Sequence, residues 1–302
     1  MKISFLGTSA ARPTTTRWLS CVVVQRRGEF FMFDCGEGTQ YRLLQKKIRI
    51  WHRPAHIFIS HLHYDHWGGL FGLIASMSLE GRQQCLQIYG PPGIRTLFLS
   101  LVKLVRKENF PLEVWECSPG LILETTEYRV LACKGTHGIP TLAFALIENM
   151  RSGKFYPDRA TALGIPKGTL WGKLQAGKTI QIEGRTITPD QVVGPPRPGR
   201  KIVYAIDTRP NKHIKELSAN ADLLIHDATF SRMLQSRAEE TGHSTAYEAA
   251  TLAKRAHVRQ LILTHISARF RTDEILRNEA EEVFKPSRVA YDGLTLLLPP
   301  NE

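Results

Sequence analysis

Short apolar runs separated by turn residues make up the first half of the chain. The runs at 21–25 and 30–34 are rich in β-branched and aromatic residues and flank a turn at Gly28, which predicts a hairpin. The run at 55–60 stops abruptly at a polar cluster, whereas residues 70–79 have helical spacing. Further strands are predicted at 2–6, 86–89 and 128–133, and further helices at 37–45 and 94–105.

Three apolar runs in the second half each end at a polar side chain. Residues 201–206 precede Asp207, residues 222–226 precede Asp227, and residues 260–264 precede His265. A helix is predicted at 245–257, between the last two runs. Strands that alternate with a helix and end at chemistry-bearing side chains predict an α/β fold.

Residues 148–201 differ in composition from the rest of the chain. This segment holds eight Gly and six Pro among 54 residues, and ten Lys or Arg against four Asp or Glu. Such a composition predicts a segment without a core of its own, and a disordered linker is one interpretation. We favour a flexible basic arm inserted into a single domain that spans 1–302, because its apolar residues could pair as a small hairpin, namely Leu170, Trp171, Ile180, Ile182 and Ile187.

The charge balance of the chain indicates which class of binding partner to expect. Lys and Arg number 40 against 28 Asp and Glu, a net charge of +12 that favours a polyanionic ligand. No stretch is long and apolar enough to span a bilayer, and the first residues resemble neither a secretory signal nor a transit peptide, so we expect a cytoplasmic protein. Five widely spaced cysteines without a CxxC pair argue against a disulfide framework or a cysteine-type zinc site.

The strongest chemical signal follows the strand at 55–60. His61, His63, Asp65 and His66 place three imidazoles and a carboxylate within six residues. Histidines two positions apart at a strand end can direct two nitrogens to one point, and Asp65 and His66 on the following turn can serve a second point. Zinc binds these donor types, and a catalytic site leaves a position open for water. The pattern therefore predicts a metal centre.

Two metal ions need more ligands than this cluster supplies. His137, Asp207 and His265 each follow an apolar β-like run, so each is a candidate. The two oxygens of a carboxylate such as Asp207 can bridge two cations, as in dinuclear phosphoesterases.

These residues resemble the metallo-β-lactamase superfamily, whose HxHxDH signature corresponds to His61, His63, Asp65 and His66. Over nearly the whole chain the resemblance narrows to the short form of ribonuclease Z. The motifs that carry it are FLGTSA, FDCGEGTQ, GGLFGL, IYGPPGI, HGIPT, LGIPKGTLWGKLQ, GPPRPGRK, DTRP, HDATF, GHST and LTHIS. The resemblance implies an αββα sandwich with a protruding arm.

The resemblance also implies roles. It implies two Zn²⁺ per chain, one held by His61, His63, His137 and Asp207, and the other by Asp65, His66, Asp207 and His265. A zinc-bound hydroxide would then cut precursor tRNA after the discriminator nucleotide, leaving a 3′-hydroxyl on the tRNA and a 5′-phosphate on the trailer. Asp65 would also accept a hydrogen bond from the nucleophile, and His243 would protonate the leaving oxygen. Asp227 takes the acidic place of the family's HEAT motif, one methylene shorter than its glutamate.

Substrate contacts are expected in two places. The family's PxKxRN loop corresponds to residues 13–18, where Pro13 and Arg17 match but Thr15 and Trp18 replace Lys and Asn, so the handling of CCA-containing precursors is open. In the arm, exposed cations would contact tRNA phosphates. The candidates are Lys167, Lys173, Lys178 and Arg185. The resemblance further suggests a homodimer in which one arm holds the tRNA that the other subunit cuts.

Two alternative functions differ in whether they require the metal ions and the arm. A dinuclear zinc phosphodiesterase for small substrates would need the metals but not the arm. A non-catalytic RNA-binding scaffold would not need the metals, although all seven ligand positions are filled here.

Overall fold

The computed structural model describes residues 1–102 and 109–301. Its strands are β1 Lys2–Gly7, β2 Cys21–Arg26, β3 Glu29–Phe33, β4 Ala55–Phe58, β5 Leu86–Gly90, β6 Leu112–Glu116, β7 Gly120–Glu124, β8 Tyr128–Lys134, β9 Leu142–Glu148, β10 Ile180–Ile182, β11 Arg185–Ile187, β12 Lys201–Ala205, β13 Leu223–Asp227, β14 Leu261–Thr264, β15 Ser287–Val289 and β16 Thr295–Leu297. Its helices are α1 Thr39–Gln45, α2 Tyr64–Trp67, α3 Leu70–Leu79, α4 Ile94–Val102, α5 Pro157–Ala162, α6 Thr169–Gln175, α7 Lys212–Ser218, α8 Gln235–Thr241, α9 Ala246–Arg255 and α10 Glu274–Val283.

The strands of the larger unit, residues 1–125, 129–147 and 201–299, form two seven-stranded mixed sheets. The first runs in the order β16-β1-β2-β3-β4-β5-β6 and the second in the order β15-β14-β13-β12-β9-β8-β7. In the first sheet β3 to β6 are parallel, and in the second β12 to β15 are parallel. Parallel strands end at a common edge, which brings the residues that follow them together.

Aromatic side chains fill the space between the two sheets. Phe33 and Phe58 of the first sheet lie with ring centroids 6.3 and 5.4 Å from that of Phe144 in the second, and Phe33 stacks on Tyr204 at 5.3 Å. The outer faces bury separate apolar clusters, one with residues of α1, α3 and α4 and one with residues of α7, α9 and α10. The layers are therefore helix, sheet, sheet, helix, and the predicted αββα sandwich is confirmed.

The second unit consists mainly of residues 148–200. Its β10–β11 hairpin pairs Ile180 with Ile187, and α5 and α6 precede it. A core of its own contains the buried residues Ala160, Ile165, Leu174, Ile180, Ile187 and Val192, with Trp171 packed against them. The expectation that this composition excludes a core was wrong, because apolar residues from two short helices and a hairpin converge. Leu170 and Trp171 lie on α6 rather than in the hairpin.

Most other predicted elements agree with the structure to within a few residues. The helix predicted at 94–105 is Ile94–Val102, and residues 103–105 lie outside the described part of the chain. No helix among the described residues has both the length and the apolar character required to cross a membrane.

Candidate metal centre and catalytic site

The histidine cluster lies on the turn that leaves β4. His61 is fully buried, and its Nε2 lies 3.0 Å from Nδ1 of His63. The extended backbone of His63 precedes the single-turn helix α2, which carries Asp65 and His66 inward. Strand and turn thus direct two histidines to one point and the following pair to another, as predicted.

The first donor group contains His61, His63, His137 and Asp207. Nε2 of His137 lies 3.2 Å from Nδ1 of His63, and Oδ2 of Asp207 lies 3.3 Å from Nε2 of His61. His63 is exposed, so this side of the centre is open to solvent.

The second donor group contains Asp65, His66 and His265. Oδ2 of Asp65 lies 3.2 Å from Nε2 of His66 and 3.6 Å from Nε2 of His265. Oδ1 of Asp207 lies 3.0 Å from Nε2 of His265, while its Oδ2 is 3.4 Å from Nε2 of His66. Asp207 therefore stands between the two groups: its Oδ2 lies near both His61 and His66, and its Oδ1 faces His265.

Three buried donor atoms in this centre form no hydrogen bond of good geometry, although each lies within 3.2 Å of an oppositely charged group: His66 Nε2, Asp207 Oδ1 and His265 Nε2. Leaving such atoms unsatisfied costs about 1–3 kcal/mol each. Imidazole nitrogens and carboxylate oxygens within 4.8 Å of one another are the ligands that zinc and related divalent ions take. The residues present fit a metal centre.

Outer contacts orient these donor side chains. Asp34, which the sequence analysis did not single out, accepts from His66 Nδ1 at 2.7 Å, from Ser60 Oγ at 2.9 Å and from Tyr204 at 2.8 Å. Thr229 Oγ1 lies 2.9 Å from Nδ1 of His265. Such contacts fix the ring orientation of metal-binding histidines. Asp34 is the last residue of the run predicted at 30–34, so a search for polar residues at the ends of apolar runs would also have found it.

Three site residues have a left-handed backbone. The φ angles are 56° at Asp34, 48° at Asp207 and 58° at His265. This conformation is unfavourable for residues with a Cβ and is found disproportionately at functional sites. Here it turns the chain sharply where β3, β12 and β14 end, so that each side chain enters the centre.

The electrostatic environment shifts the pKa values of the histidines in this centre in opposite directions. Burial, together with the charge of His66, lowers the pKa of His61 to about 4. Burial also opposes the charge on His265, but Asp207 and Asp65 outweigh it and raise its pKa to about 10. The same balance raises the pKa of His66 and lowers that of Asp207. The centre without metal therefore holds protons that a cation must displace.

His243 and Asp227 lie beside the metal centre. Nδ1 of His243 is 3.2 Å from Oδ2 of Asp227, and its ring packs against those of His137 and His265 with centroids 5.0 and 5.3 Å apart. Burial lowers the pKa of His243, but the charge of Asp227 and their hydrogen bond outweigh this effect and raise it. The aspartate reaches the histidine despite being one methylene shorter than glutamate.

The loop at 10–18 adjoins the second donor group, since Ala11 N donates to Asp65 Oδ2 at 2.9 Å. Pro13 and Thr15 are exposed. Arg17 is not free to meet a ligand, because its guanidinium donates to Thr8, to the Ala290 carbonyl and to Asp273. The sequence suggested a substrate contact at Arg17, whereas the structure gives it an internal, loop-holding role.

The arm cations lie on the surface of their own unit. The four predicted tRNA-contacting cations are all exposed, namely Lys167, Lys173, Lys178 and Arg185. Arg185 has a solvent-exposed ion pair with Glu183 at 3.4 Å, which contributes little at such exposure.

Comparisons with known proteins agree with this geometry. A model described as beta-lactamase superfamily domain matches residues 177–266, and a model described as anti-Pycsar protein Apyc1 matches residues 1–101. Fold and site together define a protein of the metallo-β-lactamase fold. The chain is 45% identical to ribonuclease Z of Methanosarcina acetivorans over 99% of this chain and 98% of that protein, and 41% identical to ribonuclease Z of Myxococcus xanthus over 99% and 98%. The chain belongs to the ribonuclease Z family.

A solved structure gives the same result. Human tRNase Z, short form, superimposes with a TM-score of 0.72 at 28% identity, covering 99% of this chain and 100% of that one. The family indicated by the motifs of the sequence is thereby confirmed.

Proposed function

We propose that this chain is a zinc-dependent endoribonuclease that removes the 3′ trailer of precursor tRNA. The cut falls after the discriminator nucleotide and leaves a 3′-hydroxyl on the tRNA and a 5′-phosphate on the trailer. The observation that carries the proposal is the pair of donor groups sharing Asp207, in a chain that matches ribonuclease Z over its whole length.

Two Zn²⁺ ions fit the donors. His61, His63, His137 and Asp207 would hold one, and Asp65, His66, His265 and Asp207 the other. Bound zinc lowers the pKa of water toward neutrality and offsets negative charge on the phosphoryl oxygens. The unpartnered atoms on His66, Asp207 and His265 support this assignment.

The chain's own groups then handle protons. Nearby histidines lower the pKa of Asp65 against the effect of burial in the metal-free centre, and bound cations would act in the same direction. This carboxylate therefore stays ionised and can accept a hydrogen bond from the attacking water. Attack at phosphorus breaks the bond to the 3′-oxygen, and that oxygen needs a proton. His243 supplies it, because Nδ1 faces Asp227 and Nε2 remains to donate.

The arm supplies affinity for the tRNA body. Lys167, Lys173, Lys178 and Arg185 are exposed cations able to neutralise backbone phosphates. Pro13 and Thr15 would contact the RNA 3′ end, which is supported by their exposure on the loop that binds Asp65 through Ala11. We further propose a cytoplasmic homodimer in which the arm of one subunit serves the centre of the other.

The proposal is tested with a tRNA that carries a 3′ trailer and has both product ends mapped. Wild-type protein should cut once, directly after the discriminator, and should contain two zinc ions per chain by elemental analysis. His63→Ala should abolish the cut because it removes a ligand from the first donor group. The exposed His52, outside both donor groups, gives the matched control His52→Ala, which should cut like wild type.

The result that would overturn the proposal is a folded, zinc-loaded wild-type protein that leaves the trailer intact. Hydrolysis of bis(p-nitrophenyl) phosphate by the same preparation would then indicate an enzyme for small phosphodiesters.

A further inference from the structure

Arg209 links two loops of the catalytic site. Its backbone N donates to the Thr136 carbonyl at 2.8 Å, next to the ligand His137, and Arg209 itself follows the ligand Asp207 by two residues. From there Nη1 reaches across to the carbonyl oxygen of His243 at 2.8 Å. One side chain thus ties the turn after β12 to the turn before α9.

Glu248 fixes the guanidinium of Arg209 in place. Its Oε2 accepts from Arg209 Nη1 at 2.8 Å, and its Oε1 accepts from Nη2. Gln235 also donates to Oε1 at 2.8 Å. The two side chains of the pair are only 18% and 19% exposed. A two-point, partly buried arginine–carboxylate pair sets direction as well as distance.

The same glutamate caps α9. Thr245 and Glu248 form a reciprocal capping box, in which Oε2 accepts from Thr245 N at 3.0 Å and Thr245 Oγ1 accepts from Glu248 N at 3.2 Å. The His243 segment therefore lies between a cap at Thr245 and the carbonyl contact from Arg209.

We infer that Arg209 and Glu248 are a positioning pair for the proton donor His243. They fix the main chain of His243, while Asp227 fixes its ring. The inference rests on the proposed phosphodiester chemistry in which His243 protonates the leaving oxygen. Neither residue needs to touch the substrate, so both should affect the proton-transfer step rather than RNA binding.

The test compares substrates that differ in their need for a proton. Release of a ribose 3′-oxygen requires protonation, whereas p-nitrophenolate leaves without it. Arg209→Gln and Glu248→Gln should lower kcat on trailer-bearing tRNA by roughly 10- to 100-fold, with KM nearly constant. Hydrolysis of bis(p-nitrophenyl) phosphate and zinc content should stay near wild type. Glutamine at 248 can still accept from Thr245 N, so α9 keeps its cap.

An exposed ion pair on the preceding helix supplies the control. Arg237 and Glu240 are paired at 2.7 Å on α8, and each is more than half exposed. Arg237→Gln and Glu240→Gln should match wild type on both substrates. Arg209→Lys should recover only part of the kcat, because one ammonium group cannot reproduce the two-point pairing.

Two outcomes would overturn the inference. One is an equal loss on both substrates together with loss of zinc, which would make the pair a support of the metal centre. The other is a rise in KM for tRNA with kcat intact.

A series of aryl and alkyl phosphodiesters keeps the test independent of tRNA. If the wild-type protein does not cleave tRNA, the phosphodiester series still tests the positioning role of Arg209 and Glu248. That role is supported if the rate loss in the Arg209 and Glu248 variants grows as the leaving group becomes more basic.

Discussion

Asp227 Oδ2 lies 3.2 Å from His243 Nδ1, at the end of β13. The other carboxylate oxygen of Asp227 accepts from Thr229 N at 2.8 Å and from Thr229 Oγ1 at 2.6 Å. Because the Thr229 hydroxyl also lies against Nδ1 of His265, a single hydrogen-bonded chain joins the proposed proton donor to a proposed metal ligand.

Removing either member of this pair should slow cleavage without emptying the metal centre. We expect His243→Ala to lower kcat on trailer-bearing tRNA by about 10²- to 10⁴-fold, the usual contribution of a general acid. Asp227→Asn should act in the same direction, because the amide does not favour the protonated imidazole. Single-turnover cleavage rates and zinc analysis of each variant provide the measurement.

The effects of substituting His243 and Asp227 on the cleavage rate should also be strongly non-additive. Once His243 is gone, the charge of Asp227 has no donor to stabilise, so the double variant should be little slower than His243→Ala. Independent, multiplying losses would show that Asp227 acts on the reaction by another route.

Zinc removal should destabilise the fold as well as abolish cleavage. A ligand that binds only the native state stabilises it, and here it also satisfies the buried atoms on His66, Asp207 and His265. Chelation should therefore lower Tm, and added Zn²⁺ should restore both Tm and cleavage. The Tm of Asp207→Asn should respond least to zinc, because the substitution alters a carboxylate that faces both donor groups. An unchanged Tm after verified zinc removal would contradict this.

Metal binding at neutral pH should release protons. The pKa of His265 is raised to about 10 and that of His66 lies above its usual value, because Asp207 and its neighbours outweigh burial. Both rings are therefore protonated at pH 7 in the metal-free protein and must lose a proton to bind a cation. As the pH rises through the raised pKa of each ring, fewer protons should be released on metal binding and the affinity for zinc should increase.

Titration calorimetry in buffers of different ionisation enthalpy measures this release. The observed heat should depend on the buffer for wild type and depend less on it for His265→Ala. Heats that are the same in all buffers would mean that the ligands are already neutral.

The sequence predicted which donor side chains lie close together, because the histidine cluster, Asp207 and His265 each follow an apolar run. Parallel pairing of β12, β13 and β14 brings Asp207, Asp227 and His265 to one edge, as the α/β pattern indicated. Contacts between distant segments were not predictable in this way. Arg209 meets His243 and Glu248 because the turn after β12 lies beside the N-terminal end of α9 in the fold, and no local pattern marks that relationship.

The arm shows the complementary limit of a compositional argument. Its Gly and Pro content suggested a segment without a core, yet Ala160, Ile165, Leu174 and Ile187 are buried together. The turns that Gly and Pro allow are what bring these residues together from short elements. Composition alone does not reveal that convergence.

The paired stem of the arm allows a clean deletion. Arg151 and Arg197 exchange both backbone hydrogen bonds at 2.9 Å, so residues 152–196 can be replaced by a two-residue glycine turn. Hydrolysis of bis(p-nitrophenyl) phosphate should survive, since every proposed metal ligand lies outside the deletion. The kcat/KM for trailer-bearing tRNA should fall by roughly 10²-fold or more, and its dependence on salt should flatten because phosphate contacts are lost.

Mixed dimers would then show which centre each arm serves. The arm-deleted chain lacks the proposed tRNA contacts, and the His63→Ala chain lacks a working metal centre, so neither alone should process tRNA. If an arm serves the partner's centre, mixing the two chains should restore cleavage, because intact arms face intact centres in the mixed dimer. If each arm serves its own centre, the mixture should stay inactive although ultracentrifugation shows that mixed dimers form.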